Sequence, residues 1–343
     1  MYGIGLIGVG HIGAVHARNI ARHPDLTLAA SYSRSPERCE AFAAEHGGRA
    51  ARSLDDILQA SDVDAVMIAS STDSHSDLLQ RAARSGKPVF CEKPIDLSLD
   101  QARKAVAVVR DCGARVMMGF NRRYEESHAA VQAQVASGQL GRLQIIQLTS
   151  RGPNRLASMD YLKSSGGFFR DKGVHFFDLA RFIAGDDVLE VSAMGAALVH
   201  PEVRDLGDFD TAIISLRMRG GALCQIDNSR TASYGYDERI EAFGTNGWVE
   251  SCRQPSSTVR RAVGTGLVAD AFPQNIYDRI GGSYERAVDA FAGFLVGTAG
   301  HVPTIEDGLA AQYIAEAAVL SAQEGRSVRI DELEQASGLG CGY

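Results

Sequence analysis

Residues 4–20 read Ile4-Gly-Leu-Ile-Gly-Val-Gly-His-Ile-Gly-Ala-Val-His-Ala-Arg-Asn-Ile20. The stretch begins with an apolar run that predicts a buried strand, and after Gly10 its apolar residues recur at helical spacing. Glycines lie where the strand would turn into the helix. They permit a tight turn, a close approach of the backbone to a phosphate, and close packing of helix on strand. The stretch therefore predicts a dinucleotide-binding loop formed by Gly8, Gly10, His11, Ile12 and Gly13.

The residues that follow favour this interpretation over glycines that serve only to pack a helix on a sheet. Further apolar, strand-like runs lie at residues 26–31 and 65–70, and helix-like segments separate them. Because such alternation requires parallel strands joined by right-handed crossovers, it predicts a doubly wound parallel sheet. We therefore expect an α/β dinucleotide-binding domain with a Rossmann fold over residues 1–120.

The pattern changes after residue 120. Strand-like runs now follow one another with turns between them, at residues 143–148, 212–217, 222–226 and 239–243. This predicts an α+β second domain over residues 121–337, built on a large, mainly antiparallel open sheet with one face available to a partner subunit. Apolar stripes at residues 283–296 and 304–323 predict two late helices that pack between the domains or back on the first one.

Composition excludes several classes of function. The 343 residues carry a net charge of −7, which argues against a nucleic-acid surface, and 45% hydrophobic content is enough for two cores. Six cysteines without Cys-x-x-Cys spacing predict neither a zinc site nor disulfides. The first strand follows Met1 without a basic leader, and no apolar run is long enough to cross a bilayer. We expect a cytoplasmic protein that acts on a small molecule.

A second motif follows the apolar residues 89–91, where the chain continues as Glu92-Lys93-Pro94. Ligands of doubly wound sheets collect at the carboxyl ends of the strands. A lysine placed there could bond the reacting oxygen of a substrate and stabilise developing negative charge on it. A surface lysine beside a turn proline is the alternative. We include Glu92 and Lys93 among the candidate cofactor contacts.

Polar residues also follow the strand-like run at residues 65–70. Ser70, Thr72 and His75 would lie at its carboxyl end, where they could line the cofactor. They could equally form the turn into the next helix or cap that helix. Both interpretations stay open.

Cofactor choice depends on the end of the second strand. Rossmann domains that bind NAD place an Asp or Glu about 20 residues beyond the glycines, where it accepts hydrogen bonds from the ribose 2′-hydroxyl. Position 33 is a serine, and Ser33-Arg34-Ser35 offers hydroxyls and a guanidinium without a carboxylate that would repel a 2′-phosphate. NADP is therefore favoured over NAD. Two alternatives stay open: Arg34 lies in solvent and the protein binds NAD, or the protein uses both cofactors.

A third motif lies in the segment Gly166-Gly-Phe-Phe-Arg-Asp-Lys-Gly-Val-His-Phe-Phe177. Asp171 and His175 are four residues apart at the start of a predicted helix, so both would lie on one face. A carboxylate there can orient the imidazole as a general base for a substrate hydroxyl, whereas the alternative is a surface ion pair. Asp178 could also orient His175, or pair with Arg181. The expected buried stripe of this helix comprises Phe176, Leu179, Ala180 and Ile183.

In this order, the glycine fingerprint, Glu92-Lys93-Pro94 and Asp171-x-x-x-His175 resemble the Gfo/Idh/MocA oxidoreductase family over nearly the whole chain. Four further stretches look like the inositol 2-dehydrogenase branch of that family, namely residues 119–124, 165–171, 234–237 and 241–244. The resemblance implies that Lys93, Asp171 and His175 are catalytic. It also implies an open-faced second domain and, often, a homotetramer.

The implied reaction is the reversible oxidation of a ring alcohol of a cyclic polyol, such as myo- or scyllo-inositol, with hydride passing to nicotinamide. His175 would take the hydroxyl proton, Asp171 would hold the imidazole, and Lys93 would stabilise the oxygen without any metal. Candidates for binding the polyol are Lys93, Asn121, Arg122, Arg123, Asp160, Asp171, His175 and Tyr236. Structural roles, including domain contacts of Arg122 and Arg123, stay open for the residues outside the catalytic three.

Two other functions stay open. An aldose 1-dehydrogenase or keto-sugar reductase of the same family could use similarly placed groups on another substrate. A non-catalytic regulator that senses dinucleotides is the other alternative, and the presence of all three candidate catalytic groups argues against it.

Overall fold

The computed structural model describes residues 1–153 and 155–335 of the 343. The chain forms two compact units, one of residues 1–124 and 282–312 and the other of residues 125–281 with those from 313 onward. The boundary expected between residues 120 and 121 stays a prediction, and residues 336 and 337 of the expected second domain lie outside the described residues. None of the described helices combines the length and apolar composition that crossing a membrane requires.

A six-stranded parallel sheet forms the centre of the first unit, in the strand order β3-β2-β1-β4-β5-β6. The order reverses between β1 and β4, which confirms the doubly wound sheet expected from the sequence. Its strands are β1 (Tyr2–Ile7), β2 (Leu26–Tyr32), β3 (Arg49–Ala50), β4 (Ala65–Ile68), β5 (Val89–Cys91) and β6 (Val116–Met118). The helices between them are α1 (His11–Arg22), α2 (Pro36–His46), α3 (Asp55–Leu58), α4 (His75–Arg84) and α5 (Leu99–Asp111).

The rest of the chain adds nine strands and seven helices within the described residues. The strands are β7 (Leu143–Arg151), β8 (Val188–Ala196), β9 (Thr211–Met218), β10 (Leu223–Ser229), β11 (Asp237–Gly244), β12 (Gly247–Ser251), β13 (Arg260–Val263), β14 (Gly266–Ala269) and β15 (Val328–Arg329). The helices are α6 (Glu126–Ala136), α7 (Met159–Ser164), α8 (Val174–Ala184), α9 (Pro201–Asp205), α10 (Ile276–Val296), α11 (Ile305–Glu324) and α12 (Ile330–Gln335).

The second unit contains a seven-stranded sheet in the order β12-β11-β7-β10-β9-β8-β15. Strands β7 and β10 pair in parallel, and the other neighbours are antiparallel, which confirms the mainly antiparallel sheet. Side chains of β9 alternate, so that Ile214 and Leu216 are buried while Ile213 is exposed on the opposite face. One face of the sheet therefore packs on the core and the other is open.

The segment predicted as one helix begins differently in the structure. Residues Phe169–Gly173 form a π-helical turn, and the α-helix proper is α8, which begins at Val174. Asp171 therefore lies in the π turn rather than in an α-helix, which corrects the expectation. Gly173 lies in close contact with the ring of Phe177, where a Cβ would lie 3.0 Å from a ring carbon. The predicted stripe is confirmed, since Phe176, Leu179, Ala180 and Ile183 are all buried.

The segment of residues 282–312 belongs to the first unit and completes its core. Val288 and Phe291 of α10 lie in the same buried cluster as Ile4 and Leu6 of β1. The core of the dinucleotide-binding region therefore includes α10. This helix begins about 160 residues after the end of β6, the last strand of that region.

Candidate active site

The glycine loop joins β1 to α1, and two of its glycines are required by packing. Gly8 has φ +110°, and a side chain there would overlap the backbone of Ala69. A Cβ on Gly13 would overlap the carbonyl oxygen of Gly8. A Cβ on Gly10, by contrast, would meet no atom within 4 Å. The protein's own packing thus leaves room beside Gly10.

That open space lies at the N-terminus of α1, where the first backbone N–H groups of a helix have no intrahelical acceptor. Such a terminus attracts anions through its N–H groups and through the helix dipole. The loop therefore fits the pyrophosphate of a dinucleotide, with His11 and Ile12 in the first turn of α1. Cofactor contact by the loop residues stays a prediction.

The first turn of α2, which follows β2, carries a carboxylate that the sequence interpretation did not include, that of Glu37. Ser35 caps α2, with its Oγ accepting from Arg38 N at 3.3 Å and donating to Glu37 Oε2 at 2.8 Å. Ser33 Oγ accepts from the backbone N–H of Ser35 at 3.3 Å, and Arg34 is exposed. A backbone hydrogen bond and the Ser35 hydroxyl lower the pKa of Glu37, so this carboxylate is ionised at neutral pH.

The polar residues after β4 form a turn and also tie two strand ends together. Ser70 Oγ lies 2.7 Å from Ser74 Oγ, and Thr72 lies in the short 3₁₀ turn that leads into α4. The ring nitrogens of His75 lie 2.8 Å from the carbonyl oxygen of Pro94 and 3.1 Å from that of Ser70. His75 therefore links the end of β4 to the segment after β5, and cofactor contact by these residues stays a prediction.

The Glu92-Lys93-Pro94 motif directly follows β5. The backbone N–H of Glu92 donates to the carbonyl oxygen of Ile68 at 2.9 Å, and the peptide bond between Lys93 and Pro94 is cis. Oε1 of Glu92 lies 2.8 Å from Nε2 of the buried His16 on α1. Lys93 itself is half-buried. The sequence interpretation missed His16, although it follows the glycines on the same helix.

Three candidate substrate residues lie in the 3₁₀ turn Asn121–Tyr124 and are buried within the first unit. Asn121 Nδ2 donates to Ser283 Oγ at 2.8 Å, and Arg123 forms an ion pair of 3.2 Å with Asp307. Arg122 donates to Asn121 Oδ1 at 3.0 Å. These contacts attach the turn to α10 and α11. They give the three side chains a structural role, and substrate contact by them stays a prediction.

Asp171 is held from two directions within the second unit. The hydroxyl of Tyr161 donates to its Oδ1 at 2.8 Å, and a guanidinium nitrogen of Arg230 lies 3.7 Å from its Oδ2. Arg230 in turn forms an ion pair of 2.8 Å with Asp208 and covers the ring of Phe168. The sequence interpretation missed Tyr161 and Arg230, because no local pattern links either residue to Asp171.

His175 is buried in the first turn of α8, to 7% relative exposure. Asp178 on the same helix is completely buried, and Arg181 forms an ion pair of 2.7 Å with Asp187. The structure thus places the imidazole of His175 in α8, four residues after Asp171, whose carboxylate is held in a fixed orientation. Such a pair can accept a proton from a bound hydroxyl group.

The remaining candidates in the second unit differ in accessibility. Tyr236 is buried, and Nζ of Lys172 lies 5.8 Å from the centre of its ring. Lys172 also donates to Ser150 Oγ at 3.2 Å and to the carbonyl oxygen of Gly152 at 3.3 Å. Asp160 is exposed in α7. The second unit therefore brings together Asp171 with Tyr161 and Arg230, while Lys93 belongs to the first unit.

The described residues provide neither a metal-binding cluster nor a disulfide. Over residues 1–153 and 155–335, no group of three or more His, Cys, Asp or Glu side chains could hold a metal ion. The cysteines of that part of the chain, Cys39, Cys91, Cys112, Cys224 and Cys252, are free thiols. Burial raises the pKa of Cys91 and Cys224 far above the usual range, so neither is a thiolate at neutral pH.

Comparison with known proteins identifies both halves of the chain. The family described as "Oxidoreductase family, NAD-binding Rossmann fold" matches residues 2–120, and the "GFO/IDH/MocA C-terminal domain" matches residues 128–250. The chain is 39% identical over 326 residues to the inositol 2-dehydrogenase of Rhizobium meliloti (strain 1021), which covers 95% of this chain and 98% of the relative.

Two solved structures are similar over the same length. A myo-inositol dehydrogenase from Corynebacterium glutamicum ATCC 13032 has a TM-score of 0.90 at 38% identity, covering 96% of this chain and 98% of that one. A scyllo-inositol dehydrogenase from Lactobacillus casei, solved with bound cofactor NAD(H) and scyllo-inositol, has a TM-score of 0.88 at 26% identity, covering 96% and 99%. With both of its domains matched, this chain belongs to the Gfo/Idh/MocA family of oxidoreductases.

Proposed function

We propose that this oxidoreductase reversibly oxidises a ring secondary alcohol of a cyclic polyol, such as myo- or scyllo-inositol, to the ketone. One observation carries the proposal: Tyr161 and Arg230 hold the carboxylate of Asp171 in place. Asp171 precedes the buried His175 by four residues. The similarity to proteins named inositol dehydrogenases supports the substrate class.

In the proposed reaction, His175 accepts the proton of the reacting hydroxyl group. Asp171 orients the imidazole and stabilises the positive charge that forms on it. Lys93 bonds the reacting oxygen and stabilises its negative charge as the carbonyl forms. The nicotinamide ring, when bound, accepts the hydride. Other ring hydroxyls would be bound by Asn121, Arg122, Arg123, Asp160 and Tyr236.

The cofactor is NAD, in agreement with the family description, and we propose that NADP is accepted as well. The glycine loop and the first turn of α1 would hold the pyrophosphate, with further contacts from Ser70, Thr72, His75, Glu92 and Lys93. Ser33 and Arg34 would favour a 2′-phosphate through hydrogen bonds and charge. An ionised Glu37 near that phosphate would oppose it, so we propose a weaker preference for NADP than residues 33–35 alone indicate.

We propose further that the protein is a cytoplasmic homotetramer that binds neither nucleic acid nor membranes. The open face of the seven-stranded sheet supports assembly, since it carries large exposed apolar side chains along several strands. They are Ile145, Met194, Ile213, Leu223, Phe243 and Trp248. The net charge of −7 is unfavourable for contact with nucleic acid or anionic lipid.

The proposed function is tested by nicotinamide reduction rates with myo-inositol, scyllo-inositol and D-glucose, each with NAD⁺ and with NADP⁺. Turnover of an inositol that is lost in the Lys93→Ala variant is the expected result. Activity on glucose alone would assign the protein to the aldose dehydrogenases of the family. Cofactor binding without turnover of any polyol would overturn the proposal in favour of a dinucleotide-sensing regulator.

A further inference from the structure

His16 and Glu92 form a buried polar pair inside the first unit. Their side chains are 0% and 11% exposed, and Nε2 of His16 lies 2.8 Å from Oε1 of Glu92. The imidazole is packed edge-on between aromatic rings, with centroid distances of 5.2 Å to Phe90 and 6.2 Å to Tyr284. If either side chain were removed, its partner would stay buried in these surroundings without that hydrogen bond. Its loss would therefore lower the stability of the protein.

The hydrogen-bonding role of His16 follows from the surroundings of its two ring nitrogens. Nδ1 is buried and has no hydrogen-bond partner in the part of the chain that the structure describes. A buried N–H group without an acceptor is costly, so the proton of the neutral ring is on Nε2, which donates to Glu92. His16 is therefore a fixed donor to a buried carboxylate.

Glu92 is confined on its other sides as well. A Cβ on Gly119 would lie 2.9 Å from Oε2 of Glu92 and 3.0 Å from its Cα, so the glycine leaves just enough room for this side chain. The neighbouring backbone is fixed by hydrogen bonds from Glu92 N to the Ile68 carbonyl and from Gly119 N to the Cys91 carbonyl. The contact with His16 and the close approach of Gly119 therefore both restrict the side chain of Glu92.

We propose that His16 is a positioning residue that acts through Glu92 on Lys93, the next residue in the chain. Without the His16 donor, the buried carboxylate would turn toward solvent, and the side chain of the adjacent Lys93 would lose a neighbour of fixed orientation. His16 lies on α1, whose N-terminus fits the pyrophosphate, so the pair also connects the cofactor-binding helix to the proposed catalytic lysine. The inference rests on the role proposed for Lys93.

The test compares four variants: His16→Leu, His16→Gln, His16→Leu with Glu92→Met, and His23→Leu. His16→Leu removes the donor and should lower kcat about tenfold or more, whereas His16→Gln keeps an N–H donor and should recover most of that loss. The double variant removes both polar partners, so its Tm should return toward the wild-type value while kcat stays low. His23 follows the same helix and lies 3.9 Å from Asp289, and its variant should keep the wild-type kcat.

Recovery of both Tm and kcat in the double variant would overturn the proposal, because the pair would then be structural only. A measurement without substrate separates this result from failure of the proposed function. Hydrogen–deuterium exchange of the peptide covering residues 89–96 should slow when NADH binds to the wild type, and should not respond in the His16→Leu variant, which keeps Glu92. Equal protection in both proteins would also overturn the proposal, whether or not inositol is turned over.

Discussion

The hydroxyl of Tyr161 donates a hydrogen bond of 2.8 Å to Oδ1 of Asp171, the carboxylate that the proposed mechanism assigns to orienting His175. Tyr161 itself is 48% exposed, so it contributes little to the core. The substitution Tyr161→Phe should therefore lower kcat about tenfold, because the carboxylate loses a fixed donor, and should leave Tm nearly unchanged. Steady-state kinetics with an inositol and thermal unfolding measure the two effects.

A matched control is Tyr234→Phe, which removes a hydroxyl that donates to Asp237 at 2.9 Å. That hydrogen bond does not involve Asp171, so the kcat of this variant should stay at the wild-type value. If both phenylalanine variants have wild-type kcat, the Tyr161 hydrogen bond does not contribute to catalysis.

His175→Ala should lower kcat by about 100-fold to 10,000-fold, because the reaction loses its general base. The Kd for NADH should stay unchanged, since the proposed cofactor loop lies in the first unit. Stopped-flow or steady-state absorbance at the NADH band gives kcat, and NADH fluorescence gives the Kd. His46→Ala, at the end of α2, serves as the control and should keep full activity. Full turnover by His175→Ala would show that another group accepts the proton.

Cofactor preference should respond in opposite directions to two substitutions after β2, one in the connection to α2 and one in the first turn of α2. Arg34→Ala should lower kcat/KM for NADP⁺ about tenfold, because a charged partner of the 2′-phosphate is lost. Glu37→Gln should raise it about threefold, since an exposed carboxylate repels the phosphate only moderately. Values with NAD⁺ measured beside them should change little. Equal changes with both cofactors would mean that neither residue lies near the 2′ position.

Acid stability should depend on Asp210, which is buried and accepts backbone N–H groups of Leu198, Val199 and His200 at 2.8 to 3.0 Å. Burial alone would raise the pKa of Asp210, but these N–H groups and Thr211 lower it below the usual range. The stabilisation is thus complete above the unfolded-state pKa of about 3.9 and is lost as the pH falls through the folded-state pKa.

The substitution Asp210→Asn should therefore lower the free energy of unfolding by about 1–3 kcal/mol at pH 7, because an amide oxygen replaces a charged acceptor. The difference from the wild type should shrink as the pH falls below about 4. Urea unfolding at several pH values measures both. A difference in unfolding free energy that stays constant down to pH 2 would contradict the assignment. Asp205→Asn, in α9, is the control and should not show this pH dependence.

Assembly should depend on the open face of the second sheet. Trp248→Glu places a charge on an exposed apolar position of β12 and should convert the proposed tetramer to smaller species. Light scattering after size-exclusion chromatography gives the mass. Val296→Glu, at the exposed end of α10, is the control and should leave the mass unchanged. A wild-type protein that elutes as a monomer would contradict the proposal directly.

Much of the fold could be predicted because its signals are local. The glycines after β1, the alternation of strands with helices, and the successive strand-like runs after residue 120 all depend on neighbouring residues. The same is true of the stripe from Phe176 to Ile183. Where a helical turn departed from the regular pattern, at Phe169–Gly173, the local signal was insufficient, because close packing around Gly173 shapes that turn.

The candidate site was predicted only in its chemically distinctive residues. Lys93, Asp171 and His175 lie in short motifs, whereas the groups that hold such residues do not. His16 bonds Glu92 across 76 positions of the chain, and Arg123 pairs with Asp307. Glu37 lies 2.8 Å from the hydroxyl of Ser35, which caps α2, and the composition of residues 33–35 did not reveal this contact.

The sequence by itself therefore determined the order of elements, the dinucleotide loop and the residues able to carry the chemistry, because periodicity and turn propensity act over a few neighbouring residues. Only the tertiary structure decided that β7 pairs in parallel with β10, that residues 282–312 complete the first core, and that Tyr161 and Arg230 hold Asp171. These contacts join segments far apart in the chain, and their energy depends on how all the elements pack together.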